Sequence, residues 1–109
     1  MFNREQERTE LLTEIQKLGY DSLRFSIFND HGPLEWETRI ELNPQTHKYE
    51  VYLTRDRDGK GRVFEYSDFP DAKEKFLELL DHTVSRNKYY IANGWVPQYP
   101  SPLWDEEGK

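Results

Sequence analysis

Few residues in this sequence could support catalysis or metal binding. The chain has three histidines and no cysteine, which excludes a thiol nucleophile, a disulfide framework and a cysteine-ligated metal site. His31 lies in one turn-rich segment, and Asp56 and Asp58 lie in another. Loops at the same end of a sheet could bring these three residues together around a divalent metal. They define one alternative function, that of a small metal-dependent hydrolase.

The spacings required by other chemistries are missing. His47 and His82 have no second histidine four residues away, as a helical zinc site would need. The segment beginning at Asp56 has the spaced carboxylates of a calcium loop, but Ser67 stands where the bidentate glutamate belongs. No glycine-rich phosphate loop precedes a helix. We therefore expect a protein that is not an enzyme and binds no metal or cofactor.

Hydrophobic periodicity predicts two helices with four strands between them. Apolar residues recur every three or four positions from Asn3 to Leu18 and again from Ala72 to Ile91. Polar and apolar residues alternate in the segments between these helices, which predicts strands at residues 23–28, 35–42, 48–54 and 62–66. The order predicts an α+β two-layer sandwich, in which both helices cover one face of a four-stranded antiparallel meander. The other face would be open to solvent.

The last residues form a segment of different composition. Pro97, Pro100 and Pro102 alternate with aromatic residues, and proline at this density disfavours both helix and central strand. We expect one α+β domain at residues 1–94 and an extended arm at residues 95–109 that packs on it. Presentation of this arm to a partner, as in a general interaction adaptor, is a further alternative.

Composition and charge narrow the function. The chain has 109 residues and a net charge of −6, which argues against nucleic-acid binding, because affinity for phosphates comes from clustered Lys and Arg. Hydrophobic residues make up only 35%, but three Trp, seven Tyr and six Phe can fill a core. No export signal or membrane-spanning run occurs in the sequence. We expect a cytoplasmic protein with a basic protein partner and leave its oligomeric state open.

The outward side of the second and third strands carries most of the patterned charge. Acidic residues alternate there with core residues, and an aromatic side chain lies among them. Acidic fields speed association with cationic proteins, and aromatic anchors supply contact energy. The predicted partner-binding residues are Glu35, Glu37, Arg39, Glu41, Glu50 and Tyr52. Ordinary solvated pairs on a half-exposed sheet are the competing interpretation.

Several short stretches resemble small acidic immunity proteins of bacterial polymorphic toxin systems. They are Leu18, Gly19 and Tyr20; Phe25, Ser26 and Ile27; Glu35 and Trp36; and Tyr49, Glu50, Val51 and Tyr52. The size, acidity and order of elements are also similar. The resemblance implies a cytosolic inhibitor that binds a cognate toxin tightly, for example a nuclease, and occludes it stoichiometrically. These families differ in the surface they use, so the resemblance transfers no binding residue.

Overall fold

The computed structural model describes residues 4–28, 32, 34–55 and 61–104. A four-stranded sheet lies between two helices in the chain, with the strands in the spatial order β1-β2-β3-β4. The α+β class and the order helix, four strands, helix are confirmed. Asn3, at the start of the first predicted helix, and residues 56–60 lie outside the described residues. The elements are α1 (Arg4–Leu18), β1 (Phe25–Ile27), β2 (Thr38–Leu42), β3 (Tyr49–Leu53), β4 (Phe64–Tyr66) and α2 (Phe69–Ala92).

The first strand pair corrects the predicted topology. Strands β1 and β2 are parallel, with Phe25 opposite Thr38 and Ile27 opposite Ile40, whereas β2–β3 and β3–β4 are antiparallel. An antiparallel meander is therefore wrong for this pair, and the sheet is mixed. Alternation of residues reports which side chains share a face but not the direction of a strand. The chain between Ile27 and Thr38 has to return along the sheet instead of turning as a hairpin.

The two helices pack on one face of the sheet. Ile40 and Val51 point to this face from β2 and β3, and both are fully buried. They belong to one apolar cluster with Leu11 and Ile15 of α1 and with Phe76 of α2. Burying these side chains supplies most of the energy that holds the layers together. The described part of the chain has no helix long and apolar enough to cross a membrane.

Residues 95–104 carry two aromatic side chains into this apolar cluster. Tyr99 is 5% exposed and Trp104 is 2% exposed, and the Trp104 indole N–H donates to the Tyr99 carbonyl at 2.8 Å. Buried Asn87 of α2 fixes the segment, because its Oδ1 accepts from the Gln98 N–H at 2.6 Å. Trp95 is 53% exposed, and its ring contacts those of Tyr89 and Tyr90 in α2. The division into a domain at 1–94 and an arm at 95–109 stays a prediction.

Replacing Trp104 by Ala should lower the free energy of unfolding by about 3–5 kcal/mol, since it removes a large buried side chain. Trp95→Ala is the matched control and should cost much less, because half of that side chain is already in water. Urea denaturation of both variants measures the difference. Equal losses would contradict the assignment of Trp104 to the core.

Candidate functional site

A buried arginine lies at the centre of the sheet face that the helices do not cover. Glu37, Arg39 and Glu41 are spaced two apart along one strand direction, so their side chains project to the same side. Arg39 is 1% exposed and Glu37 is 0% exposed. Arg39 Nη1 donates to Glu37 Oε1 at 2.6 Å, and Arg39 Nε donates to Glu41 Oε2 at 2.8 Å. One guanidinium therefore joins two carboxylates.

Tyr52 completes this group from the neighbouring strand. It stands opposite Arg39 in the β2–β3 register, and its hydroxyl donates to Glu41 Oε2 at 2.8 Å. Its side chain is 2% exposed and lies outside the apolar cluster under the helices. The Arg39 cluster, as we call Glu37, Arg39, Glu41 and Tyr52, is thus a hydrogen-bonded polar layer.

The environment fixes the protonation of the two donors. Burial by itself lowers the pKa of Arg39, but the hydrogen bonds to Glu41 and Glu37 outweigh it and raise that pKa above its ordinary value. Burial raises the pKa of Tyr52 to about 12, and the hydrogen bond to Glu41 and the charge of that carboxylate act in the same direction. Arg39 stays charged, and Tyr52 stays a donor throughout the physiological range.

A row of glutamates borders the Arg39 cluster. Glu41, Glu50 and Glu65 stand directly opposite one another across β2, β3 and β4. Glu41, whose side chain is 16% exposed, and Glu50 are half-buried, whereas Glu65 at the outer end of this acidic row is exposed. Glu50 accepts a hydrogen bond from the Asn43 side-chain amide at 3.1 Å. Like charges directly opposite in a sheet are destabilising, so the acidic row costs stability in the free protein.

The structure brings five of the six predicted binding residues together. The sixth, Glu35, is exposed in the turn before β2, where its backbone carbonyl accepts from Arg24 Nη1 at 3.0 Å. The expectation that this whole face is open to solvent is wrong, because Glu37, Arg39 and Tyr52 are buried. Their assignment to partner binding stays a prediction.

The parallel connection explains part of this burial. The segment returning to β2 passes the end of the face, where the Leu34 N–H donates to Glu37 Oε1 at 3.2 Å. Thr54 links the same segment to β3: its hydroxyl donates to the Leu34 carbonyl and accepts from the Glu37 N–H. The sequence pattern gave no sign of Leu34 or Thr54, because neither role depends on alternation. A prediction that β1 and β2 are parallel would have indicated a connecting segment at this end of the sheet, and with it these two residues.

The alternative metal site was predicted at three residues of two turn-rich segments. His31, Asp56 and Asp58 lie outside the described residues. In the part of the chain that is described, no three His, Asp or Glu side chains form a group able to hold a metal ion. The other two histidines are far apart: His47 is exposed in a turn, and His82 lies on α2 with its Nε2 2.7 Å from Arg86 Nη2.

Comparison with known proteins defines the class. The chain is an immunity protein of the kind that protects against a toxin, as the resemblance in its sequence predicted. The model of the family described as Immunity protein 59 matches residues 4–105, so the chain belongs to this family. No curated protein and no solved structure matches it. Membership implies that the chain binds a cognate toxin, and it favours an inhibitor over an enzyme.

Breaking the ion pair at Glu37 should destabilise the protein strongly. Glu37→Ala leaves the buried Arg39 guanidinium with one carboxylate fewer, and the loss of one partner from a buried pair typically costs about 3–5 kcal/mol. Glu35→Ala, two positions earlier and exposed, serves as the matched control and should change stability by less than about 1 kcal/mol. Urea unfolding followed by circular dichroism measures both. A similar small effect of both changes would show that the buried pair contributes little.

Stability should also fall at alkaline pH, partly through Tyr52. The folded protein keeps the Tyr52 proton up to about pH 12, whereas the unfolded chain releases it near pH 10. This contribution is complete below pH 10 and is lost as the pH rises from there to about 12. Tyr52→Phe should flatten this part of the stability profile, whereas Tyr89→Phe, at an exposed position, should leave it unchanged. Urea midpoints at several pH values test this, and identical slopes for both variants would refute it.

Proposed function

We propose that this immunity protein neutralises its cognate toxin by stoichiometric binding that covers a basic surface of the toxin. The acidic row is the observation that supports this most. It places three in-register glutamates on the sheet face away from the helices, in a chain with a net charge of −6. An acidic surface of this kind attracts a cationic partner and speeds its association. A nuclease, which needs a basic cleft for its substrate, is one toxin that fits.

The predicted contact residues divide into two roles in this proposal. Glu35, Glu41 and Glu50 contact the toxin, together with Glu65 at the open end of the acidic row. Glu37, Arg39 and Tyr52 lie beneath and hold Glu41 in place through hydrogen bonds. A rigid, preorganised charge loses less conformational entropy on binding than one on a free side chain. The Arg39 cluster thus positions the acidic row.

The loss of stability that repulsion within the acidic row causes supports a binding role for these glutamates. Three like charges in register weaken the isolated protein, and a cationic partner would remove this repulsion on binding. Neutralisation would take place in the cytoplasm, where an inhibitor meets a toxin before the toxin acts. No catalysis is required of either protein for this inhibition. The toxin encoded beside this gene is the natural candidate partner.

Removing charge from the acidic row should weaken toxin binding without harming the fold. Glu50→Gln together with Glu65→Gln keeps side-chain size and removes two of the three charges. We expect association with the toxin to slow by about tenfold at low salt, with the difference shrinking at high salt. Stability should be equal or slightly higher, because repulsion is relieved.

The matched control is Glu5→Gln together with Glu74→Gln, which removes the same charge from exposed helical positions. Stopped-flow association with the toxin of the neighbouring gene gives the rates, and urea unfolding gives the stabilities. If both double variants bind at the same rate, only the overall charge matters, and the proposed contact through the acidic row is wrong. Protection of cells that produce the toxin should follow the same order.

A further inference from the structure

A basic cleft opens at the other end of the same sheet. It lies between the end of β3, the start of β4 and the second half of α2, with a volume of about 470 Å³. This is within the range of about 300–1,000 Å³ typical of ligand pockets. Its lining combines apolar walls with cationic groups. The apolar residues are Trp36, Leu53, Phe64 and Leu79, and the cationic or basic ones are Arg55, Arg62, Arg86 and His82.

The three arginines of the cleft stand apart from the ion pairs found in the described part of the chain. Among the described residues, no acidic side chain forms an ion pair with Arg55, Arg62 or Arg86. Arg62 lies over the Phe64 ring at 4.9 Å, and Lys75 lies over the same ring at 4.3 Å. Cations stacked on an aromatic ring are held in position and keep hydrogen-bond donors for other groups. Guanidinium groups clustered in this way form a site that can bind an anionic group.

Two features of the backbone indicate that the sequence specifies the shape of the cleft. Trp36 has a φ of 57°, in the left-handed region that a bulky residue adopts only at an energetic cost. Across the cleft, the Gly61 N–H donates to the Leu53 carbonyl at 2.9 Å, and a Cβ on Gly61 would stand 2.9 Å from that same oxygen. The backbones on this side approach so closely that only glycine fits. Strain of this kind is concentrated at functional sites.

The cleft lies on the helix side of the sheet and reaches the end of the acidic face at Thr54. Thr54 lines the cleft, and its hydroxyl accepts from the Glu37 N–H at 2.8 Å, beside the Arg39 cluster. Thr54 lies four residues beyond Glu50 along the β3 direction, a distance of about 13 Å at the usual strand rise. Both features therefore fall within the area of one ordinary protein interface.

We propose, building on the proposed function, that the basic cleft receives an acidic segment of the toxin. Carboxylates of this segment pair with the guanidinium groups of Arg55, Arg62 and Arg86, a geometry that permits two parallel hydrogen bonds. An apolar side chain next to them packs on Trp36 and Phe64. A polyanion such as nucleic acid is disfavoured, because the nearby acidic row would repel its further phosphates. Opposite charges at the acidic row and at the cleft would fix the orientation of the toxin on the protein.

A peptide probe tests the cleft without the toxin. The probe is acetyl-Glu-Glu-Phe-Glu-Glu-amide, added to the full-length ¹⁵N-labelled protein, with acetyl-Lys-Lys-Phe-Lys-Lys-amide as its charge-reversed control. We expect the acidic peptide to shift the Trp36 indole signal and the Arg62 and Arg86 Nε–H signals, and the basic peptide to leave them in place. Arg55→Gln with Arg62→Gln, both at exposed positions, should weaken this binding by about tenfold.

The matched control is Arg4→Gln with Arg8→Gln, which removes the same charge from α1 and should bind the acidic peptide as the unchanged protein does. Thermal melting verifies that both double variants are folded. Absence of shifts at the cleft would overturn the proposal, and so would equal binding of the two peptides. Binding of inorganic phosphate or AMP at the cleft without binding of the acidic peptide would overturn it as well.

Toxin binding by the two sets of variants separates this inference from the proposed function. If Arg55→Gln with Arg62→Gln weakens the complex while Glu50→Gln with Glu65→Gln does not, the cleft is supported and the acidic contact is wrong. The opposite result supports the acidic contact and overturns the cleft as a toxin site.

Discussion

The buried guanidinium of Arg39 is the interaction on which the polar side of this protein depends. An unpaired charge at that position would be very costly, and the two carboxylates that neutralise it lie two residues away on either side along the chain, at Glu37 and Glu41. This requirement fixes the side on which β2 presents its polar residues and the partner that Tyr52 meets across the strand pair. A shift of the register by one residue would move Arg39 into the apolar layer beneath the helices. Ion pairing here specifies the register as well as satisfying the charge.

The two faces of the sheet therefore differ in chemistry, one being apolar and the other polar. On one side, α1, α2 and the segment carrying Tyr99 and Trp104 bury aliphatic and aromatic side chains. On the other side, hydrogen bonds and ion pairs hold Glu37, Arg39 and Tyr52 without apolar packing from a helix. The modest hydrophobic fraction of the chain is sufficient because only one face is an apolar core. The second face is free to carry charge, which is what recognition of another protein requires.

Much of this arrangement could be predicted from the sequence, for physical reasons that are specific to each element. Alternation along residues 36–42 and 49–54 identified the two central strands and the residues sharing each face, because the side-chain period of a strand is two. The same pattern carries no strand direction, so the parallel β1–β2 pair was missed. The pattern also predicts that polar residues are exposed. Arg39 is an exception, because its charge is paired with the carboxylates of Glu37 and Glu41. The basic cleft was missed because Arg55, Arg62 and Arg86 come from three separate segments without periodicity.

The lengths of the strands have a consequence for contact between copies of the protein. Both strands at the edges of the sheet, β1 and β4, are three residues long, whereas the two inner strands are five residues long. An edge that short offers few free backbone groups to the sheet of another molecule. Short edges of this kind therefore disfavour edge-to-edge pairing between copies of the protein.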